Sequence, residues 1–95
     1  MSTRSATSPT IIRLPRRVDS FVSPYFEHDL KQKLQPGVTL VIDMAKTTFI
    51  EPAAASVFWK GLIQSRREGA KIVVKGMNEQ VKLVLDRSGL LPHLQ

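Results

Sequence analysis

Few residues of this 95-residue chain are of a type and spacing to carry out covalent chemistry. The two histidines are His28, between Glu27 and Asp29, and His93, near the C-terminal end. Neither has a second histidine at the spacing of a metal-ligand pair. There is no cysteine, which excludes a disulfide framework, a thiolate zinc site and a cysteine nucleophile. No glycine-rich phosphate loop and no nucleophile elbow is present; the five glycines are scattered as turn and cap residues. Among eight carboxylates, only Asp43 and Glu51 fall near one another at the end of a strand pattern, and nothing marks them as an acid–base couple. The sequence therefore reads as a non-enzyme with no metal or cofactor. The segment that stands out is Leu40 to Ser56: an apolar run ending in Asp43, a short loop, and a helix opening at Pro52. A helix start carries free N–H groups and partial positive charge, so it can receive a phosphate or an acidic side chain. Every crossover helix has such an end, so its neighbours must give it meaning.

The elements that position this segment are legible in the spacing. Ile11 to Leu14 is a β-branched run stopped by Pro15, which predicts a strand. Ser23-Pro24 suits a capped helix start, and Phe26, Leu30 and Leu34 form one stripe of a helix running from about residue 24 to 34. Pro36-Gly37 ends it. Val38 to Ile42 is a continuous apolar run, which predicts a central strand buried on both faces. Thr47 to Ile50 is a brief extended stretch. Glu51-Pro52 opens a second helix whose face comprises Ala54, Val57, Phe58, Leu62 and Ile63, ending at Arg66-Arg67-Glu68-Gly69. Lys71 to Lys75 is a strand, and a third helix starts at Asn78 or Glu79 and ends at Ser88-Gly89. The last residues, 90–95, form a tail able to dock on the core. Strand and helix alternate, which predicts an α/β sheet with at least two parallel crossovers. Residues 1–10 are small and polar and are expected to be a flexible tail ahead of a single domain over 11–95.

Composition agrees with one globular domain: 42% hydrophobic and 23% charged residues. No run approaches the roughly 20 apolar residues that span a bilayer. The start shows no secretory signal, so the expected place is the cytoplasm. The net charge is +6, with 14 bases against 8 acids. Such a surface favours acidic partners, nucleic acid or anionic lipid. Aromatics are only 6%, no nucleic-acid motif appears, and a basic nucleic-acid binder rests on charge alone.

From Leu40 to Leu90 the ordered set of residues resembles the STAS domain, the fold of the anti-sigma-factor antagonists. Asp43, Phe49-Ile50, Arg66-Arg67, Gly69, Ile72 to Val74, Gly76, Val84-Leu85 and Gly89-Leu90 fall in the family's register. Upstream, Leu14 and Arg17-Val18-Asp19 match its first strand and loop. The resemblance implies a small open sheet of about four strands, mixed but mostly parallel, with about three helices. The last strand and helix of many members are shortened here to a few residues. It also implies a serine at the start of the second helix, phosphorylated by a partner kinase. Here Glu51, Pro52, Ala53 and Ala54 stand at that loop, and Ala53 takes the place of the phosphorylated serine. Thr47, Thr48 and Ser56 are the nearby hydroxyls left as alternative acceptors. The implied partner face comprises Arg17, Asp19, Glu51, Pro52, Ala54, Ser56, Trp59 and Lys60. The implied partner is an anti-sigma factor or a serine-kinase-like regulator, with a homodimer also open. The alternative is a STAS subunit of a lipid-transport assembly, bound to a transporter ATPase.

Overall fold

The computed structural model describes residues 10–94. The tail expected over residues 1–10 lies outside them except for Thr10, which already opens the first strand. Strands β1 (Thr10–Arg13), β3 (Thr39–Asp43) and β5 (Lys71–Lys75) form one parallel sheet in the order β1-β3-β5. A second, two-stranded parallel ladder joins β2 (Arg17–Val18) to β4 (Phe49–Ile50). The fold is the expected small α/β type, but the strands divide into three plus two, and all pairs among the described residues are parallel.

Helix α1 (Ser23–Lys33) connects β2 to β3, and α2 (Ala55–Glu68) connects β4 to β5. The strand order advances in one direction, so right-handed crossovers put both helices on the same side of the sheet. This explains a departure from expectation. Leu40 and Ile42 of β3 are buried, but Val41 between them is only half-buried and Thr39 is exposed. The central strand is covered on one face, not two. On the covered face, the register lines Ile12 with Ile42 and Val74 beneath the helices.

The helix termini follow local chemistry. Ser23 does not cap α1; it is the first helical residue. No side chain caps α1; Asp19 instead fixes the turn ahead of it, its Oδ1 accepting the backbone N–H groups of Phe21 at 3.0 Å and Val22 at 3.2 Å and its carbonyl accepting the Ser23 N–H at 2.9 Å. Helix α2 is preceded by a single 3-10 turn at Pro52–Ala54 and ends on Gly69 in the left-handed region. Asn78 caps α3 (Glu79–Arg87), its side chain accepting from the Val81 N–H at 2.8 Å. Helices α1 and α2 run side by side: Lys60 reaches Glu27, and the Gln64 amide donates to the Lys31 carbonyl at 3.3 Å. Gly61 permits this approach, since a Cβ there would lie 3.1 Å from Leu30 Cδ1. Gly76 turns out of β5 at φ 78° with Ala45 Cα 2.8 Å from where a Cβ would stand, so both space and dihedral require glycine.

The core gathers Val18, Leu30, Leu40, Ile42, Met44, Ile50, Phe58 and Leu85, with Phe26 set edge-on to Phe58 at 5.0 Å between centroids. The tail does dock: Leu90 and Leu94 are fully buried, and the Leu94 carbonyl accepts the Val74 N–H of β5 at 2.9 Å. A second 3-10 turn, Leu91–His93, carries the chain between them.

Candidate partner-binding site at the start of helix two

The site is built by the small ladder. Pairing Arg17 with Phe49 and Val18 with Ile50, then donating the Glu51 N–H to the Val18 carbonyl at 2.9 Å, lays the Asp19 turn beside Glu51. Val18 and Ile50 are fully buried because they carry the ladder down onto the core. Hydroxyls and amides lock the rest. Buried Thr47 donates to the Pro15 carbonyl at 2.8 Å, and Thr48 donates to the Arg16 carbonyl at 3.2 Å. From α3, the Gln80 amide grips both backbone groups of Ile50: it accepts the N–H at 3.0 Å and donates to the carbonyl at 3.1 Å. Asn78 donates to the Thr48 carbonyl at 3.1 Å. The residues just before α2 are thus fixed from both sides before the helix begins.

What this scaffold presents is apolar and small. Pro52, Ala53 and Ser56 are exposed, and Glu51 is half-buried. Ala54 is 2% exposed and faces the core, so it is removed from the expected contact set. The Ser56 hydroxyl turns back to the Ala53 carbonyl at 3.1 Å. Thr47, at 2% exposure, is closed to any kinase acting on the folded chain. Arg17 is exposed, with its guanidinium 4.7 Å above the Phe49 ring. Asp43 turns its carboxylate to the Ala45 N–H at 2.9 Å and to Arg13 at 3.9 Å, and no contact with Glu51 appears.

With that geometry in place, similarity to known proteins decides the family. The family model described as the STAS domain matches residues 1–95. The chain belongs to the STAS-domain family. One similar solved structure is the anti-sigma factor antagonist SpoIIAA in its unphosphorylated form. It is 20% identical, with a TM-score of 0.75, covering 100% of this chain and 82% of that one. Another is a sulfate transporter family protein from Wolinella succinogenes. It is 15% identical, with a TM-score of 0.74, covering 99% of this chain and 80% of that one. At these identities the likeness establishes the fold alone. No curated protein sequence matches the chain.

Within this STAS domain the expected partner residues separate into groups. Arg17, Asp19, Glu51, Pro52 and Ser56 gather at one end of the sheet, although Asp19 spends its carboxylate on backbone N–H groups. Lys60 lies one helical turn further along α2, 3.4 Å from Glu27, which also pairs with Lys31. Those partners, Lys60 first, hold the Glu27 carboxyl below the ordinary carboxylate range. Trp59 lies on the opposite flank. Its indole N–H donates to the Ser88 carbonyl at 3.2 Å, and its ring tilts against His93 at 6.0 Å. His93 in turn lies 3.4 Å from Arg66. Both histidines are exposed.

Two residues absent from the sequence-based set are the most exposed large apolar side chains described: Phe21 at 83% and Tyr25 at 76%. They follow the Asp19 turn that lies beside Glu51. Their signal was available. Tyr25 lies on α1 out of phase with the Phe26-Leu30-Leu34 stripe and so points off the core face, and Phe21 lies in the turn just ahead of the helix.

Proposed function

We propose that the chain is a non-enzymatic protein-interaction module that binds a regulatory partner, an anti-sigma factor or a serine-kinase-like protein, without a phosphoserine switch of its own. The single observation that carries this reading is the exposed Ala53 at the start of α2, in place of the hydroxyl that the family resemblance implies. The neighbouring hydroxyls support it: Thr47 is buried, and Thr48 and Ser56 are tied to backbone carbonyls. A phosphate at a helix start would add about −1.5 to −2 charge. Without an acceptor, affinity is set by the apolar surface of Pro52 and Ala53 and by the adjoining turn. The face is constitutively competent.

A second reading is a STAS subunit of a membrane transport assembly, bound to its ATPase. The likeness to a sulfate transporter family protein favours it, as does the net charge of +6. Such a subunit has no need of a phosphorylated serine. Purifying the tagged chain from nuclease-treated extract of its source cells, with mass spectrometry of what it retains, separates the two. A sigma-regulatory kinase held by unmodified bait supports the first reading. A transporter ATPase transfers the same face to the second. If no protein is retained in a manner sensitive to Ala53→Arg, both readings fail.

A further inference from the structure

The Ala53 face is small for a stable interface. Pro52, Ala53 and Ser56 offer only short side chains. A specific protein contact takes about 20–30 residues a side. Most of its energy comes from a few large side chains, aromatic ones above all, seated in pockets of the partner. The α2 start itself has none of that type, but the neighbouring turn supplies them. Phe21, in the turn ahead of α1, is 83% exposed, and Tyr25, in the first turn of the helix, is 76% exposed. Neither ring belongs to the aromatic or cation–π pairs among the described residues. A large ring left in water forgoes the stabilisation that burial would bring.

That turn is continuous with the face and firmly held. The Val18 carbonyl accepts the Glu51 N–H at 2.9 Å, and Asp19 is the next residue along the chain. Asp19 Oδ1 accepts the N–H groups of Phe21 and Val22, and its carbonyl accepts both the N–H and the hydroxyl of Ser23 at 2.9 Å. These bonds fix the backbone from Phe21 into α1, so little freedom is lost when the rings are seated. Asp19 and Glu51, which has no ion pair among the described residues, set carboxylates beside Arg17. Ground of that kind suits a protein surface of mixed charge and disfavours anionic lipid. We propose that Phe21 and Tyr25 anchor the partner contact: the regulatory protein bound by the Ala53 face has apolar pockets that take both rings, and Asp19 is the residue that positions them. The inference rests on the reading of the Ala53 face as a partner site and adds where most of the affinity resides.

The test titrates the full chain by calorimetry against the protein that it retains in a manner sensitive to Ala53→Arg, once that protein is purified. The Phe21→Ser/Tyr25→Ser double variant should weaken the complex at least about 30-fold, as the loss of aromatic anchors does. Both positions are exposed, so its circular dichroism melt should match the parent, which separates lost binding from lost folding. Asp19→Ala should weaken the complex roughly 5-fold, the worth of about one hydrogen bond, and Asp19→Asn, which keeps the accepting oxygen, should restore it. If Ala53→Arg releases the partner while the ring variant binds as the parent does, the inference is overturned and the reading of the Ala53 face stands. If no protein is held in a manner sensitive to Ala53→Arg, both fall. Equal losses in Asp19→Ala and Asp19→Asn overturn the positioning role, because the charge is then what matters. Rings that instead join two copies of the chain in sedimentation, or seat it on phosphatidylserine vesicles, with the partner's affinity unchanged by their loss, overturn the inference as well.

Discussion

Two aromatic sites, Trp59 on α2 and the Phe21–Tyr25 pair at the start of α1, differ in what exposure means. Trp59 is 40% exposed, yet its indole N–H is bonded to the Ser88 carbonyl and its ring rests against His93. It fastens the end of α3 and the final turn to α2. Phe21 and Tyr25 are about twice as exposed, and no hydrogen bond or ring contact is described for either side chain. The first is a structural clasp whose outer edge happens to be wet. The second spends apolar surface on solvent and gains nothing from the fold. A large exposed ring is evidence for a contact site only when its polar and packing partners are missing.

The comparison can be broken by substitution. Trp59→Ala should be the most damaging change, at about 2 kcal/mol, since it removes both packing and a hydrogen bond. For a domain of this size that is a fall in melting temperature of roughly 8–16 °C, read by calorimetry. Trp59→Phe keeps most of the ring and should cost about 1 kcal/mol, the value of the missing N–H bond. A Trp59→Ala melt equal to the parent would make Trp59 a contact residue after all. Gln80→Leu, which strands both backbone groups of Ile50, should cost about 1–2 kcal/mol and loosen the segment before α2. Amide exchange at Ile50 and Glu51 should quicken accordingly. Phe21→Ser with Tyr25→Ser should shift stability by no more than about 0.5 kcal/mol, as for surface positions generally. A larger loss would mean that these rings support the fold.

The smallest effect concerns pH. Glu27 has its pKa lowered in the folded chain, chiefly by the hydrogen bond from Lys60. A group so depressed contributes stability above its unfolded pKa, and the contribution disappears as pH falls through the folded value. Acid titration should therefore loosen the α1–α2 seam, and Glu27→Gln should flatten that part of the stability profile. The pair partners Lys31 and Lys60 are exposed, so the change should be slight and should shrink further in salt.

The sequence was most legible where local chemistry acts alone. The Phe26-Leu30-Leu34 stripe, the basic end and glycine stop of α2, the start of α3 at Asn78 or Glu79 and the Lys71–Lys75 strand all appear as their spacing predicts. It was least legible where topology decides. Val38 to Ile42 reads as a strand buried on both faces, but the β1-β3-β5 order leaves one face of β3 uncovered. Serine before proline looks like a cap, but Ser23 is the first helical residue, and Asp19 four residues earlier builds the turn that leads into α1. In the candidate site, Glu51, Pro52, Ala53 and Ser56 were readable through the family register. Ala54 was not separable from them, because a 3-10 turn rotates it into the core. The separation of Trp59 from Lys60 onto opposite flanks depends on the packing of α1 and α3 about α2, which no local pattern encodes.

The most direct measurement is the intact mass and phosphosite map of the chain recovered from its source cells together with its bound partner. An unmodified chain in complex with a regulatory protein, with Ala53→Asp weakening that complex at least about 10-fold as a charge placed in an apolar contact should, is the expected result. Phosphate on Thr48 or Ser56 at high occupancy, confined to the unbound fraction, would contradict it, because the switch would then have moved to a neighbouring hydroxyl.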